Sequence, residues 1–290
     1  AATGKPIRIG QVGAGKFGTM FLSQVRLTAG MHLAGLADLM PARAKERLAG
    51  VGWPQEQFAA GSLDDALKSG QTFVTDDAMA VIAHPEIDVV IEATGDPSSG
   101  IKLCLEAIRH GKHIVMVNVE ADALAGPLLA RRAREAGVVY SMAWGDQPAL
   151  IAEHVDWARA CGFQVVSAGK GTRYHPSYHQ STPDTVWQHY GLSPEDAAKG
   201  GMNAQMFNSF LDGTKSGIEM AAVANATPAW RIEHGVIYLD PSDLSHPVGF
   251  NPLNNVAVDQ RPLAAAHSRA LARLSADVAA AIRALVGNRP

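Results

Sequence analysis

The chain has 290 residues, 47% of them hydrophobic and 18% charged, an ordinary globular balance that excludes a disordered or low-complexity protein and allows one large domain or two modest ones. A formal net charge of -3 gives no electrostatic reason to expect nucleic acid or an anionic membrane surface as partner, which leaves small molecules. Cys104 and Cys161 lack CxxC spacing, the opening AATGKPIRIG lacks a signal-like apolar core, and no run reaches the roughly 18 apolar residues of a membrane span, so a soluble cytoplasmic protein without disulfides is expected.

In chain order, short Val- and Ile-rich runs alternate with segments of helical period, which is how a parallel sheet with crossover helices reads. The expected strands are Ile7 to Val12, His32 to Asp38, Val89 to Glu92, His113 to Val117 and Val138 to Ser141. The expected helices between them are Lys16 to Thr28, Pro41 to Ala49, Ser99 to His110 and Ala121 to Ala136, the last carrying Arg131, Arg132 and Arg134 as a solvated face. A helix from Gln147 to Ala160 and a strand from Phe163 to Ala168 follow, then the polar segment GKGTRYHPSYHQSTPD. A second helical pattern occupies NAQMFNSFLDGTKSGIEMAAVANAT, with Met206, Phe210, Ile218 and Ala221 on one buried face and Lys215 and Glu219 one turn apart. Beyond Thr227 the chain becomes turn-rich and ends in an alanine-heavy amphipathic helix from Pro262 to Val286.

Gly13-Ala14-Gly15-Lys16-Phe17-Gly18 is a GxGxxG between an expected strand and an expected helix. Gly13 permits the tight turn, Gly15 admits a pyrophosphate close to the backbone, and Gly18 lets the helix pack on the strand, with Lys16 and Phe17 opening that helix. Asp38 ends the second strand, where an acidic side chain can accept hydrogen bonds from an adenosine ribose. Arg43, a short helical turn on, can offset its repulsion of a 2′-phosphate, so NAD and NADPH both stay open. Ala93-Thr94-Gly95-Asp96-Pro97 is a turn at the carboxyl edge of the sheet, and Thr94 and Gly95 are expected to border the nicotinamide half.

The segment from Lys170 to Asp184 gathers Lys170, Arg173, Tyr174, His175, Tyr178, His179, Ser181 and Thr182, a set of cations, hydroxyls and imidazoles suited to a phosphate or carboxylate. The alternative is a polar surface loop. His175 and His179 could share a metal on a helix, but Pro176 argues against a regular helix there. Lys215, flanked by Asp212 and Glu219, can transfer protons if a cleft desolvates it, or form a solvated ion pair if it does not.

The stretches VGAGKFGTMFLSQV, EATGDP, NVEADALAGPLLARRAREAGVVYSMAWGDQPAL, AGKGTRYHPSYHQSTPDTVWQHYGLSP and NAQMFNSFLDGTKSGIEMAAVANAT, spread over about Ile7 to Thr227, resemble the homoserine-dehydrogenase-like oxidoreductases. Within them they are most similar to the 1-deoxy-D-xylulose 5-phosphate reductoisomerase-like family. That resemblance implies an NADPH-dependent homodimer that rearranges and reduces deoxyxylulose phosphate to methylerythritol phosphate, with a divalent metal such as Mg or Mn as an open question. Related chains resemble apionate oxidoisomerases, which act on a branched sugar acid. Lys170, Arg173, Ser181, Thr182 and Lys215 suit the phosphate and proton roles that both reactions require. Homoserine dehydrogenases carry a lysine soon after the fifth strand, where this chain reads Asn118-Val119-Glu120, so homoserine is the weaker substrate expectation.

The resulting expectation is an α/β chain in which residues 1–145 form a Rossmann doubly wound parallel sheet. Residues 146–227 form a partial α+β catalytic domain, and residues 228–290 a divergent tail from a fusion or frame disruption. In that tail VIYLDPSDLSHPVGFNPLNNV is similar to conjugative-transfer ATPases of the HerA type, without any GxxxxGK[ST] phosphate loop. A truncated, inactive NAD(P)-binding remnant is the rival expectation.

Overall fold

The five strands expected before residue 145 all form, and a sixth, at Phe73–Thr75, joins them. The computed structural model describes residues 5–165, 167–170, 175–227, 231–233 and 236–238. The chain divides into two units, Ala1–Trp144 and Gly145–Pro290. In the first unit the order is β1 (Ile7–Val12), α1 (Lys16–Val25), β2 (Met31–Ala37), α2 (Pro41–Gly50), α3 (Leu63–Ser69), β3 (Phe73–Thr75) and α4 (Ala78–Ala83). Then come β4 (Val89–Glu92), α5 (Pro97–Arg109), β5 (His113–Met116), α6 (Val119–Glu135) and β6 (Tyr140–Met142).

All six strands are parallel and lie in the order β3-β2-β1-β4-β5-β6. This is the doubly wound order in which the winding reverses between β1 and β4, opening a crevice beyond the carboxyl ends of those two strands. The central strands β1, β2 and β4 are buried on both faces over most of their length, as parallel strands covered by helices must be, while the edge strands β3 and β6 are more open. Leu33 and Leu36 of β2 meet Leu22 of α1, Leu48 of α2 and Trp53 in one core cluster. The Trp53 indole N–H is satisfied by the Leu22 carbonyl at 2.8 Å. Helix starts follow the side chains that cap them: Asp77 accepts from the Ala80 amide, Asp96 from Ser99 and Asn118 from Ala121. Lys112 is buried, and its ammonium donates to the carbonyls of His84, Pro85 and Ile87, fastening the approach to β4.

The second unit contains α7 (Gln147–Ala160), β7 (Ser167–Gly169), α8 (Val186–Tyr190), α9 (Pro194–Lys199), α10 (Ala204–Leu211), α11 (Thr214–Ala226), β8 (Arg231–Glu233) and β9 (Val236–Tyr238). The three strands make a small antiparallel sheet in the order β7-β9-β8. Val186, Trp187 and Ala197 are buried against Leu192, Phe207 and Leu211, while Met220 and Val223 pack with Ile151.

Two expectations change here. The strand expected from Phe163 shortens to Ser167–Gly169 because Phe163 is used to close α7. Its amide donates to the Ala158 carbonyl at 2.9 Å and that of Gly162 to Arg159 at 2.9 Å, a helix-ending pair of bonds. The long helical pattern over residues 203–227 is two helices, because Gly213 is left-handed at φ 83° and Asp212 accepts from the Thr214 amide at 2.9 Å. That break re-phases the second half. Asn208, Glu219, Met220, Ala222 and Val223 are the buried positions, in place of the face expected from Met206, Phe210, Ile218 and Ala221. The C-terminal helix expected from Pro262 to Val286 lies outside the described residues.

Candidate functional site

Strand β1 ends in the glycine turn. Gly13 has φ 97°, and a side chain there would lie 2.5 Å from the Ala93 carbonyl oxygen, so the turn after β1 and the turn after β4 touch backbone to backbone. A Cβ on Gly18 would collide with the Gly13 carbonyl and stand 2.7 Å from Gln11 Nε2. Gly15 is different: nothing lies within 4 Å of where its Cβ would be. It is exposed and caps α1, whose first turn carries no acidic residue. Open space at the positive end of a helix is what a pyrophosphate requires, so the residues present fit a dinucleotide. Lys16 and Phe17 are exposed beside it.

Asp38 sits at the end of β2, with its side chain only 6% exposed. One carboxylate oxygen accepts the Ala14 amide at 2.8 Å, and the other accepts the Met40 amide at 2.9 Å and Arg43 Nη2 at 3.3 Å. Its first task is therefore to hold the glycine turn in place. The Arg43 side chain is 47% exposed above it, and Leu39 is almost wholly exposed, an apolar shelf beside the carboxylate.

At the end of β4 lies a residue that sequence reasoning missed. Glu92 is fully buried, and its Oε1 accepts the Thr94 amide at 2.9 Å. Its Oε2 has no hydrogen-bond partner. Burial pushes the Glu92 carboxyl above its ordinary value, against the opposing Thr94 donors. Asn118, also buried, donates from Nδ2 to the Asp96 carbonyl at 2.9 Å and approaches Thr94 Oγ1 at 3.5 Å. Thr94 and Gly95 themselves are exposed on this turn. A glutamate closing an apolar strand was the available signal.

In the second unit Lys170 forms an ion pair with Glu219, which is buried on α11. The Gln147 amide, from the first turn of α7, faces the same carboxylate, and with its nitrogen turned toward Glu219 it donates to the two oxygens at 3.0 and 3.3 Å. Glu219 is on the same helix as Lys215, one turn on, and its carboxylate is buried on Lys170. Asp212 accepts from Asn208 Nδ2 and the Thr214 amide. Lys215 lies half-buried on α11.

Arg173 and Tyr174 lie outside the described residues. His175 caps a short 3-10 helix, Pro176–Gln180, and its Nδ1 faces Ser177 Oγ at 2.8 Å. His175 stands outside this short 3-10 turn and His179 within it, so the α-helical (i, i+4) pairing considered for a shared metal does not form. Among the described residues no three His, Cys, Asp or Glu side chains converge as a metal site. His179 and Thr182 are exposed, Thr182 in a turn closed by Thr185, whereas Ser181 is buried with its hydroxyl unpartnered. Arg131 and Arg132 face solvent beside Glu135. Among the described residues no helix is long and apolar enough to cross a membrane.

Sheet order, glycine turn and crevice define the first unit as a dinucleotide-binding α/β domain. More particularly, residues 13–142 match the family described as homoserine dehydrogenase, NAD binding domain, and residues 145–255 match that described as oxidoreductase DRL, catalytic domain. A homoserine dehydrogenase of Pseudomonas aeruginosa is 33% identical over 137 residues, 47% of this chain and 28% of its own length. A 1-deoxy-D-xylulose 5-phosphate reductoisomerase of Stutzerimonas stutzeri is 32% identical over 85 residues, 29% of this chain and 20% of its own length. The chain thus spans less than a third of these relatives. The structure of a homoserine dehydrogenase from Thiobacillus denitrificans superposes with a TM-score of 0.51 at 18% identity, covering 74% of this chain and 47% of that one, and shows a shared fold. The catalytic-domain match runs through Thr227 to residue 255, across the stretch read as similar to conjugative-transfer ATPases. None of these matches carries that ATPase similarity.

Proposed function

We propose that this chain is an NAD(P)-dependent oxidoreductase that transfers a hydride between the nicotinamide and a small hydroxylated substrate bearing a phosphate or carboxylate. The observation that carries it is the open Gly15 position at the head of α1, next to a turn pinned by Asp38 and packed on the β4 turn. The two family matches support the same order of parts, a nucleotide domain and then a catalytic one. When bound, the cofactor supplies the hydride chemistry. The chain's residues would hold the pyrophosphate at Gly13–Gly18, the adenosine beside Asp38, Leu39 and Arg43, and the nicotinamide at Thr94–Gly95. In the catalytic unit Lys170, oriented by its ion pair with Glu219, is the group suited to donate to a substrate carbonyl and polarise it.

The finer reading is reduction with rearrangement of 1-deoxy-D-xylulose 5-phosphate, favoured over homoserine oxidation by Asn118-Val119-Glu120 standing where the resemblance would require a lysine. The test is NADPH and NADH oxidation by the purified chain with deoxyxylulose phosphate, with and without Mg or Mn, beside homoserine oxidation with NAD and NADP. Turnover of the sugar phosphate alone supports the finer reading, and turnover of homoserine alone reverses it. Tight dinucleotide binding with no turnover on either leaves the inactive remnant.

A further inference from the structure

The turn Ala93–Asp96 is held from below by groups that never reach solvent. Glu92 Oε1 accepts from the Thr94 amide, and Asn118 Nδ2 donates to the Asp96 carbonyl and reaches toward the Thr94 hydroxyl. Asn118 is itself fixed, because its Oδ1 caps α6 by accepting the Ala121 amide at 3.1 Å. Gly100 of α5 makes room for both: a Cβ there would stand 2.6 Å from Asn118 Nδ2 and 2.8 Å from Glu92 Oε2. In front, the Gly13 backbone lies directly on Ala93 and Thr94. Three elements, β4, α5 and the start of α6, therefore converge on a four-residue exposed turn.

A buried carboxylate with one oxygen unpartnered costs stability, and an apolar side chain at a strand end would be cheaper. A hydrophobic residue could not accept the Thr94 amide, and without that bond the turn is free to re-aim its exposed edge. We infer that Glu92, together with Asn118, is a positioning residue that sets the Thr94–Asp96 edge against the nicotinamide half of the cofactor. Glu92 does not touch the ligand; it acts through Thr94 and Asn118. The inference rests on the nucleotide-binding reading above and assigns its reactive end to a specific buried pair.

The test separates the two halves of the cofactor. Binding to the full chain is measured by calorimetry for NADH and NADPH and for their nicotinamide-free counterparts, ADP-ribose and ADP-ribose 2′-phosphate. Glu92→Met removes the acceptor for the Thr94 amide, and Asn118→Ala removes the tie to Asp96. Each is expected to weaken the preferred dinucleotide by about tenfold or more, the loss of a buried hydrogen bond, while its nicotinamide-free counterpart stays within about twofold. Equal losses for both ligands, or no loss for either, would overturn the inference. Hydrogen exchange on the wild type provides a check that does not depend on a variant folding. Backbone amides of residues 93–96 are expected to be protected by the dinucleotide and not by its counterpart, and equal protection would also overturn it. A wild type that binds none of the four ligands instead removes the nucleotide-binding reading on which the inference stands.

Discussion

The carboxylate of Asp38 accepts the main-chain amide of Ala14 at 2.8 Å, so the acid at the end of β2 braces the phosphate turn at the end of β1. Ala14 is buried, and its N–H has no water to fall back on. Asp38→Ala should leave that donor unsatisfied and cost about 1–3 kcal/mol of stability, read by chemical denaturation. Dinucleotide affinity should fall with it. Wild-type stability in this variant would show that the turn holds its own shape.

Gly15 and Gly18 should separate binding from folding. A side chain at Gly15 meets empty space at an ordinary φ of -68°, whereas one at Gly18 collides with the Gly13 carbonyl. Gly15→Val is therefore expected to keep the wild-type Tm and lose dinucleotide binding. Gly18→Ala should lose stability first, by about 1–3 kcal/mol as an overpacked contact. Thermal melts with and without NADPH distinguish the two, and a Gly15→Val variant that binds normally would remove the phosphate assignment.

Arg43 reaches Asp38 Oδ1 at 3.3 Å and remains half exposed, so it can turn toward a 2′-phosphate or merely screen the carboxylate. If it binds phosphate, Arg43→Ala should weaken NADPH by about tenfold, the value of one charge-assisted contact, and leave NADH nearly unchanged. Parallel titrations with the two cofactors read this directly. Equal affinities before and after would confine Arg43 to screening.

Much of this was legible because parallel strands carry their burial in their composition. Ile7–Val12 and Val89–Glu92 were read with the boundaries the structure shows, and the glycine turn sits where its spacing placed it. β3 was not read, since Phe73–Thr75 is three residues on the sheet edge and too short for any period to show. The buried polar residues escaped for another reason. Glu92 and Glu219 look like ordinary charged positions until tertiary structure encloses them, and the Lys170 that Glu219 meets is 49 residues away in sequence.

Lys170 and Glu219 should therefore fail in different ways. Lys170→Met strands a buried carboxylate, which costs about 3–5 kcal/mol when an enclosed pair is broken. Replacing both partners, Lys170→Met with Glu219→Leu, should recover most of that stability. Turnover should stay suppressed in both variants, with NAD(P)H affinity unchanged. Recovery of activity together with stability in the double variant would make the pair purely structural, and Lys215→Ala would then be the next variant to assay for lost turnover.

A second buried acid gives the first unit its own pH signature. Asp122 accepts the Tyr140 hydroxyl at 2.6 Å, and burial pushes its carboxyl up to about 6 from an ordinary 3.8. Tyr140 is itself pushed up by burial and by Asp122, so it remains the donor throughout. A carboxyl whose folded value exceeds its unfolded one binds its proton more tightly in the native state. Its stabilising share is full below about pH 3.8 and is lost as pH rises through about 6. The difference of about two pH decades corresponds to roughly 3 kcal/mol. Asp122→Asn keeps an acceptor for Tyr140 and carries no charge, so it should be more stable than wild type at pH 8 by up to that amount. Near pH 4 the two should be alike. Denaturation midpoints at these two pH values decide it: a gap that does not widen with pH would mean that Asp122 is ionised in the native state without penalty.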